Sequence, residues 1–235
     1  MCENAAYGRV IEAGKQGNTR LLDLGCCMGT DVRKAVLDGY PASNVIGSDL
    51  RREYIDLGLD ALFADRETCA IRFVEADTFD VPVPSLSQPN FETSTAPKGP
   101  EQGLTQFLGN ITHVYVGALF HLFDGETQYA IALRVALLME RHRNDGTEVI
   151  AFGRHSGLEK EGMISDRMQR VRYGHSPASW THLWKRVFME IEGRTFAEER
   201  VMVEAEMRPH PGGGTHAAPG TGMLWWSVKI SGEGN

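Results

Sequence analysis

LLDLGCCMGTD, residues 21–31, is the stretch that decides the fold. It starts as a short, mainly apolar run, which is typical of a strand buried in a sheet. Gly25 and Gly29 come next, and a segment with helical spacing follows. A strand that passes through a glycine turn into a helix is the usual start of a nucleotide-type binding site. Cys26 and Cys27 stand inside this turn, so its ligand has to be inferred from the rest of the chain.

The segments around this stretch alternate between strand and helix patterns. Strands are predicted at 19–25, 44–50, 71–77, 111–120 and 147–153, and helices at 4–16, 30–38, 51–64, 126–143 and from Ser176 onward. This alternation predicts a mainly parallel sheet with helices on both faces. Two late strands, 199–207 and 222–230, flank a glycine-rich stretch and predict an antiparallel hairpin at one edge. We therefore predict one Rossmann-like α/β domain over residues 1–235, with a seven-stranded sheet.

The sequence also predicts where several helices begin and end, and one interruption of the strand–helix alternation. Thr30 or Asp31 is expected to cap the second helix and Gly39 to end it. Asp124 is expected to cap the fourth helix, and Ser176, which precedes a proline, to start the fifth. Residues 81–110, rich in Pro, Ser and Thr, are predicted to be a flexible insertion.

Composition bounds the function classes. The 235 residues carry a formal charge of -7, which argues against nucleic-acid binding through phosphate neutralisation. No apolar run approaches the roughly 20 residues that cross a bilayer, and the first residues lack a signal-peptide core. The four cysteines include no C-x-x-C pair, which is typical of a reducing compartment. We expect a cytoplasmic protein with no membrane partner; the oligomeric state stays open.

Acidic residues follow the predicted strands, at the edge where open α/β sheets bind ligands. Asp49 lies about 20 residues beyond Gly29, the place of a carboxylate that binds ribose hydroxyls. Asp77 and Thr78 follow the third strand and are placed to reach an adenine. The pattern predicts an adenosine-containing ligand.

The turn itself narrows the choice of ligand. A dinucleotide site prefers G-x-G-x-x-G, which packs a pyrophosphate against the helix start. Here the spacing is D-x-G-x-x-x-G, and Asp23 would oppose an anionic diphosphate. It suits a ligand with an ammonium and a sulfonium, namely S-adenosyl-L-methionine, and a nicotinamide cofactor is the alternative. Cys26 and Cys27 are interpreted as small residues tolerated in a turn that faces the methionine part of the ligand, since no partner residues at metal-ligand spacing accompany them.

Three stretches resemble the first three motifs of class I S-adenosylmethionine-dependent methyltransferases: 21–31, VIGSDLRREYIDLG at 45–58 and RFVEADTFD at 72–80. The resemblance extends over roughly residues 10–190. It is closer to fungal small-molecule methyltransferases of meroterpenoid and polyketide pathways, which carry similar DLGCC-x-G-x-D-x-R and F-H-L-F segments. It implies that the methionine part is surrounded by Asp23, Gly25 and Gly29, with the ribose near Asp49 and the adenine near Asp77. The expected cofactor residues are Asp23, Gly25, Cys26, Gly29, Asp49, Leu50, Asp77, Thr78 and Gly117.

Two histidines are candidates for the acceptor side. His121 follows the fourth strand between Phe120 and Phe123, and His155 is expected just after the fifth strand. Either could remove a proton from a phenol, orient a substrate carboxylate, or serve only as a structural histidine. His113 is predicted to be structural. The remaining histidines show no ligand spacing, so no metal site is expected.

The function predicted is O-methylation of a carboxylate or phenolic hydroxyl of a small secondary metabolite. The alternative is a methyltransferase-like protein without catalysis that acts as a partner or regulator. A methyltransferase for RNA or protein is disfavoured by the acidic charge and the missing N-P-P-Y-type motif. Related enzymes carry a longer helical segment before the first motif. We therefore expect the loop 81–110 and the segment 154–175 to supply the lid, or the chain to be truncated, or catalysis to be impaired.

Overall fold

The computed structural model describes residues 1–84, 103–165, 171–209 and 220–232. The helices in these ranges are α1 (Tyr7–Lys15), α2 (Thr30–Leu37), α3 (Arg52–Leu57), α4 (Gly125–Leu138), α5 (Pro177–Glu192) and α6 (Arg194–Glu199). The strands are β1 (Leu21–Leu24), β2 (Val45–Asp49), β3 (Arg72–Glu75), β4 (His113–Gly117), β5 (Val149–Leu158), β6 (Gly162–Ser165), β7 (Val171–Gly174), β8 (Val201–Arg208) and β9 (Thr221–Ile230). No helix within these ranges is both long and apolar enough to cross a bilayer.

Seven strands form one sheet in the order β3-β2-β1-β4-β5-β9-β8. The first five are parallel, and β9 is antiparallel to both β5 and β8. The strand order reverses between β1 and β4, which creates a crevice at the carboxyl ends of these strands. The predicted Rossmann-like sheet with a terminal antiparallel pair is confirmed.

Helices cover both faces of the sheet. One core cluster packs α4 and α5 against the sheet through residues such as Ile131, Trp184 and Phe188. A second cluster on the other side includes Val10 of α1 and Val32 of α2. All four residues of β1 are buried, as expected for the central strand of a sheet covered on both faces.

The structure differs from the predictions in two regions. β5 continues to Leu158 because β9 pairs with it along its whole length. His155 therefore lies inside a strand, and the prediction that it follows the fifth strand is wrong. Within the predicted insertion 81–110, Val81, Leu104 and Phe107 are buried, so its described ends belong to the core. Residues 85–102 lie outside the described part of the chain.

Helix capping follows the sequence in three cases out of four. Asp124 accepts a hydrogen bond from the Thr127 amide at 2.8 Å, and Ser176 forms a capping box with Ser179. Helix α2 ends at Leu37 with Asp38 as its C-cap, directly before the predicted stop residue Gly39. The predicted side-chain cap of α2 is wrong, because the residue at its N-cap is a glycine and no side chain caps it.

The capping box yields a stability prediction. Ser176→Ala removes the hydrogen bond that its Oγ accepts from the Ser179 amide at 3.2 Å. The loss should be about 1–2 kcal/mol, a fall in Tm of roughly 2–8 °C for a domain of this size. Thermal unfolding monitored by circular dichroism measures it. The exposed Ser43→Ala is the control, and equal Tm values for both variants would contradict the prediction.

Candidate active site

The glycine turn after β1 is fixed to the neighbouring strand β2. The amides of Gly25 and Cys26 both donate to the Ser48 carbonyl, at 2.8 and 2.9 Å. Gly29 has a φ of 76°, and a Cβ there would lie 2.7 Å from the Phe73 ring and from Arg33. Both its conformation and its surroundings therefore require glycine, and the turn is held close to the sheet.

The two cysteines of the turn point in different directions. The Cys26 side chain is buried beneath the turn, and burial raises the pKa of its thiol well above the usual value. Cys27 is exposed, with a φ of 51°, and its amide donates to Asp49 Oδ2 at 2.8 Å. The described residues contain no group of three His, Cys, Asp or Glu side chains that could hold a metal ion. Cys26 borders the site through the turn, with its thiol protonated.

Asp49, at the end of β2, is held by two backbone donors. Its Oδ2 accepts from the Cys27 amide and its Oδ1 accepts from the Arg51 amide at 2.9 Å. Each oxygen keeps a second lone pair. The carboxylate is therefore preorganised to accept hydrogen bonds from two neighbouring hydroxyl groups.

Two hollows meet at this turn, and Gly25 borders both of them. The first, which we call the polar half, carries the charged side chains of Asp23, Asp31 and Arg154. The second, the apolar half, is walled mainly by aliphatic and aromatic side chains, among them Leu24, Leu119, Phe123, Ile131 and Phe79. The site therefore suits an elongated ligand with one charged end and one flat, mostly apolar end.

Most residues predicted for the cofactor come together here. Asp23, Gly25, Cys26 and Gly117 border the polar half, and Gly25, Asp49, Leu50, Asp77 and Thr78 border the apolar half. Gly29 borders neither and shapes the turn from behind.

Asp23 is the buried carboxyl group of the polar half, with only 3% of its surface exposed. Burial raises its pKa well above the ordinary value, and Asp31 and Asp49 add to the effect by repulsion. A cation placed beside it would offset both contributions and favour the ionised form. The polar half is therefore suited to an ammonium group.

The apolar half is a slot with a carboxylate at its rim. Asp77 Oδ1 accepts from the Phe79 amide at 2.8 Å, which fixes both residues after β3. The Phe79 ring is 41% exposed, and Arg134 lies 4.9 Å from its centroid. Leu119 and Phe123 line the same hollow. This arrangement can hold a flat heterocycle and accept a hydrogen bond from it.

The end of β4 brings in residues that sequence reasoning missed. Ala118 has a φ of 55°, and its amide donates to the Arg154 carbonyl at 2.8 Å. Arg154 pairs with Gly117 in the β4–β5 register, and its guanidinium lies 3.1 Å from Glu3. Tyr115 borders the same half. The position of Arg154 opposite the end of β4 depends on register, which the sequence alone does not give.

The three histidines singled out in the sequence lie in different surroundings. His121 is half-buried in the short turn Phe120–Leu122. His155 is 1% exposed, burial holds its pKa well below the usual range, and its Nδ1 accepts from Trp226 Nε1 at 3.1 Å. Neither borders the two halves of the cleft. His113 is buried and lies 3.0 Å from the Tyr40 hydroxyl, consistent with a structural role.

This strand order, with acidic strand ends around a glycine turn, defines a class I methyltransferase. The chain is 31% identical over 212 residues to methyltransferase adrK of Penicillium rubens, covering 90% of this chain and 68% of that protein. It is 32% identical over 187 residues to O-methyltransferase phiE from an unclassified fungus, covering 79% and 54%. No protein-family model matches. The chain belongs to this family of fungal S-adenosylmethionine-dependent methyltransferases.

A solved structure shows the same fold. The 1,6-didemethyltoxoflavin-N1-methyltransferase of Burkholderia thailandensis superimposes with a TM-score of 0.55 at 13% identity. The match covers 98% of this chain and 80% of that one, so the likeness extends over the whole sheet. That enzyme was solved with S-adenosylhomocysteine bound.

The raised pKa of Asp23 predicts a pH-dependent stability. Below the unfolded-state pKa of about 3.9, the Asp23 carboxyl is protonated in both the folded and the unfolded protein, so its titration does not lower the stability there. As the pH rises above that value, the Asp23 carboxyl ionises in the unfolded protein but keeps its proton in the folded protein. The wild type therefore loses stability relative to Asp23→Asn, which has no carboxyl group at this position. The Tm of the variant minus that of the wild type should increase as the pH rises above about 4, by roughly 3–5 °C for each unit of raised pKa.

Thermal unfolding of the ligand-free protein across this pH range measures the difference. The exposed Asp80→Asn is the control and should change Tm equally at every pH. A difference for Asp23→Asn that does not vary with pH would show that the carboxyl titrates normally.

Proposed function

We propose that the protein O-methylates a carboxylate or phenolic hydroxyl of a small secondary metabolite. The main support for S-adenosylmethionine as the ligand of the cleft is that its polar and apolar halves meet at Gly25. These two halves match the charged end and the flat end of the cofactor. The relative phiE is an O-methyltransferase, which supports oxygen as the methylated atom.

The same proposal assigns roles to the cleft residues. Asp23 in the polar half pairs with the ammonium group of the methionine part, and Asp49 accepts hydrogen bonds from the ribose hydroxyls. Asp77 accepts from the adenine amine while Phe79 stacks on the ring. Bound in this way, the cofactor supplies an electrophilic methyl group on a sulfonium, beside the end of β4.

The residues proposed to contact the methyl acceptor come shortly after β4 in the chain. Phe120 is fully buried and anchors the short turn in the core, and His121 is half-buried in the same turn. For a phenol, a neutral His121 imidazole accepts the hydroxyl proton as the oxygen bonds to the methyl carbon. A carboxylate is ionised at neutral pH and needs no base, so His121 would only orient it.

A lid is proposed from the segment between β5 and α5. The buried Gln128 donates from Nε2 to the carbonyls of Phe123 and Tyr173, at 2.9 and 2.7 Å. The Tyr173 amide also donates to the Phe123 carbonyl at 3.1 Å. These bonds dock the small β6–β7 sheet beside the proposed acceptor turn, where it would exclude water.

Cofactor binding is tested by Asp49→Asn. Asparagine keeps the size of the side chain but replaces one acceptor oxygen by an NH2 donor. The variant therefore loses one hydrogen bond to the ribose, and its NH2 group faces a backbone N–H of the turn that it cannot accept. Affinity for S-adenosylmethionine and S-adenosylhomocysteine should fall about 10- to 100-fold by calorimetry. Glu75→Gln is the control, since Glu75 is the exposed register partner of Asp49 on β3. No heat from the wild type with either ligand would overturn the proposed function.

The acceptor class is tested by His121→Gln. If His121 takes the proton, kcat/KM for phenols should fall about 10²- to 10⁴-fold, while aromatic carboxylic acids should keep their rate. Methyl transfer from labelled S-adenosylmethionine to a panel of both classes measures this. His142→Gln, an exposed histidine near α5, is the control. An equal loss for both classes would assign His121 to positioning instead of proton removal.

A further inference from the structure

A buried aromatic cluster lies directly behind the proposed acceptor turn. It consists of Phe120, His155, Trp180, Trp184 and Trp226, each at most 2% exposed. The His155 and Trp180 rings are 4.6 Å apart between centroids, and Phe120 lies 4.8 Å from Trp180 and 5.6 Å from His155. The cluster therefore joins β5, β9 and α5 to the turn that carries His121.

The polar atoms of this cluster are almost all donors. Trp226 Nε1 donates to His155 Nδ1, so in the neutral imidazole the proton lies on Nε2. His155 Nε2, Trp180 Nε1 and Trp184 Nε1 are buried, and in the described part of the chain none of them has a hydrogen-bond partner. An indole N–H can only donate. Of these three donors, His155 and Trp180 lie on adjacent rings, with centroids 4.6 Å apart, while the Trp184 centroid lies 5.9 Å from that of Trp180.

Such an arrangement is unfavourable unless an acceptor atom completes it. A buried donor without an acceptor loses its bonds to water on folding and regains nothing. Replacement by a purely apolar side chain would remove that cost. Adjacent buried donors such as those of His155 and Trp180 are therefore suited to a ligand oxygen, which can accept more than one hydrogen bond.

We propose that His155 and Trp180 form a donor pair that binds a carbonyl oxygen of the methyl acceptor. This inference rests on the proposed function and specifies its acceptor, which carries a neutral carbonyl group near the methylated oxygen. The position fits, because Phe120 contacts both donor rings and His121 follows it in sequence. The carbonyl would hold the acceptor while its hydroxyl meets His121.

A neutral carbonyl fits this site better than a carboxylate. No Lys or Arg belongs to the cluster, and burial disfavours protonation of His155. A buried carboxylate without a positive partner is far more costly than a buried carbonyl that accepts two hydrogen bonds. The site therefore selects ketones, lactones or esters over free acids.

Tyr173 of β7 and the following His175 lie beside this cluster. His175 lies 5.2 Å from Trp180, and Tyr173 of β7 lies 4.9 Å from His175, as distances between ring centroids. Among the described contacts, β7 is tied to the acceptor turn by the Tyr173 and Gln128 hydrogen bonds at Phe123. If these hydrogen bonds broke, β7 could move away from the acceptor turn and expose Trp180 to an entering ligand.

The test uses the full chain saturated with S-adenosylhomocysteine and a matched pair of probes. The probes are ortho-hydroxyacetophenone, which carries a carbonyl, and ortho-ethylphenol, which lacks it. Proton–nitrogen correlation spectra resolve the indole N–H resonances, and Trp180→Phe assigns that of Trp180. The carbonyl probe should move the Trp180 resonance and the ethyl probe should not. Trp180→Phe should weaken binding of the carbonyl probe about tenfold and leave the ethyl probe unchanged.

Trp184→Phe is the matched control, because it removes an indole from the same cluster and the same helix face, one turn farther along α5. It should retain the Trp180 shift with the carbonyl probe. A Trp180 resonance that stays in place at millimolar probe, or moves equally with both probes, would overturn the inference. Calorimetry with S-adenosylhomocysteine on the same sample reports separately on the proposed function, so the two failures are distinguishable.

Discussion

The site depends on three hydrogen bonds between the turn after β1 and the end of β2. The Ser48 carbonyl accepts from Gly25 and Cys26, and the Asp49 carboxylate accepts from Cys27. These bonds turn the chain sharply away from the sheet and leave Gly25 between the two halves of the cleft. They also orient Asp49 before any ligand arrives, so binding does not require the carboxylate to be ordered. The proposed cofactor site is in this sense a property of the β1–β2 pair.

The acceptor side is built differently. Its turn is anchored from below by Phe120 in an aromatic cluster, and the small β6–β7 sheet is docked beside it by Gln128 and Tyr173. Within the described part of the chain, the Tyr173 amide and the Gln128 side chain join that sheet to Phe123, whereas the main sheet is paired continuously. A preorganised cleft next to a separately docked small sheet fits the proposed enzyme, which has to admit an acceptor and then exclude water.

The sequence predicted β1, β2 and β3, with Asp23, Asp49 and Asp77 at or near their carboxyl ends, because short-range patterns determine these strands: apolar runs, a nearby acid and helix caps. The extent of β5 was not predictable, since it depends on pairing with β9, a distant segment of the chain. That pairing moves His155 from a loop into the core and makes it a partner of Trp226. Arg154 was missed for the same reason. The β6–β7 sheet carries no alternation strong enough to distinguish it from a loop.

The central claim is that the two halves of the cleft at Gly25 hold the two ends of S-adenosylmethionine. A crystal structure of the protein with S-adenosylhomocysteine tests it most directly. The account predicts the adenine between Leu119 and Phe79, the ribose hydroxyls on Asp49 and the amino group beside Asp23. An adenine found in the polar half, or a ligand whose ribose does not contact Asp49, would contradict it.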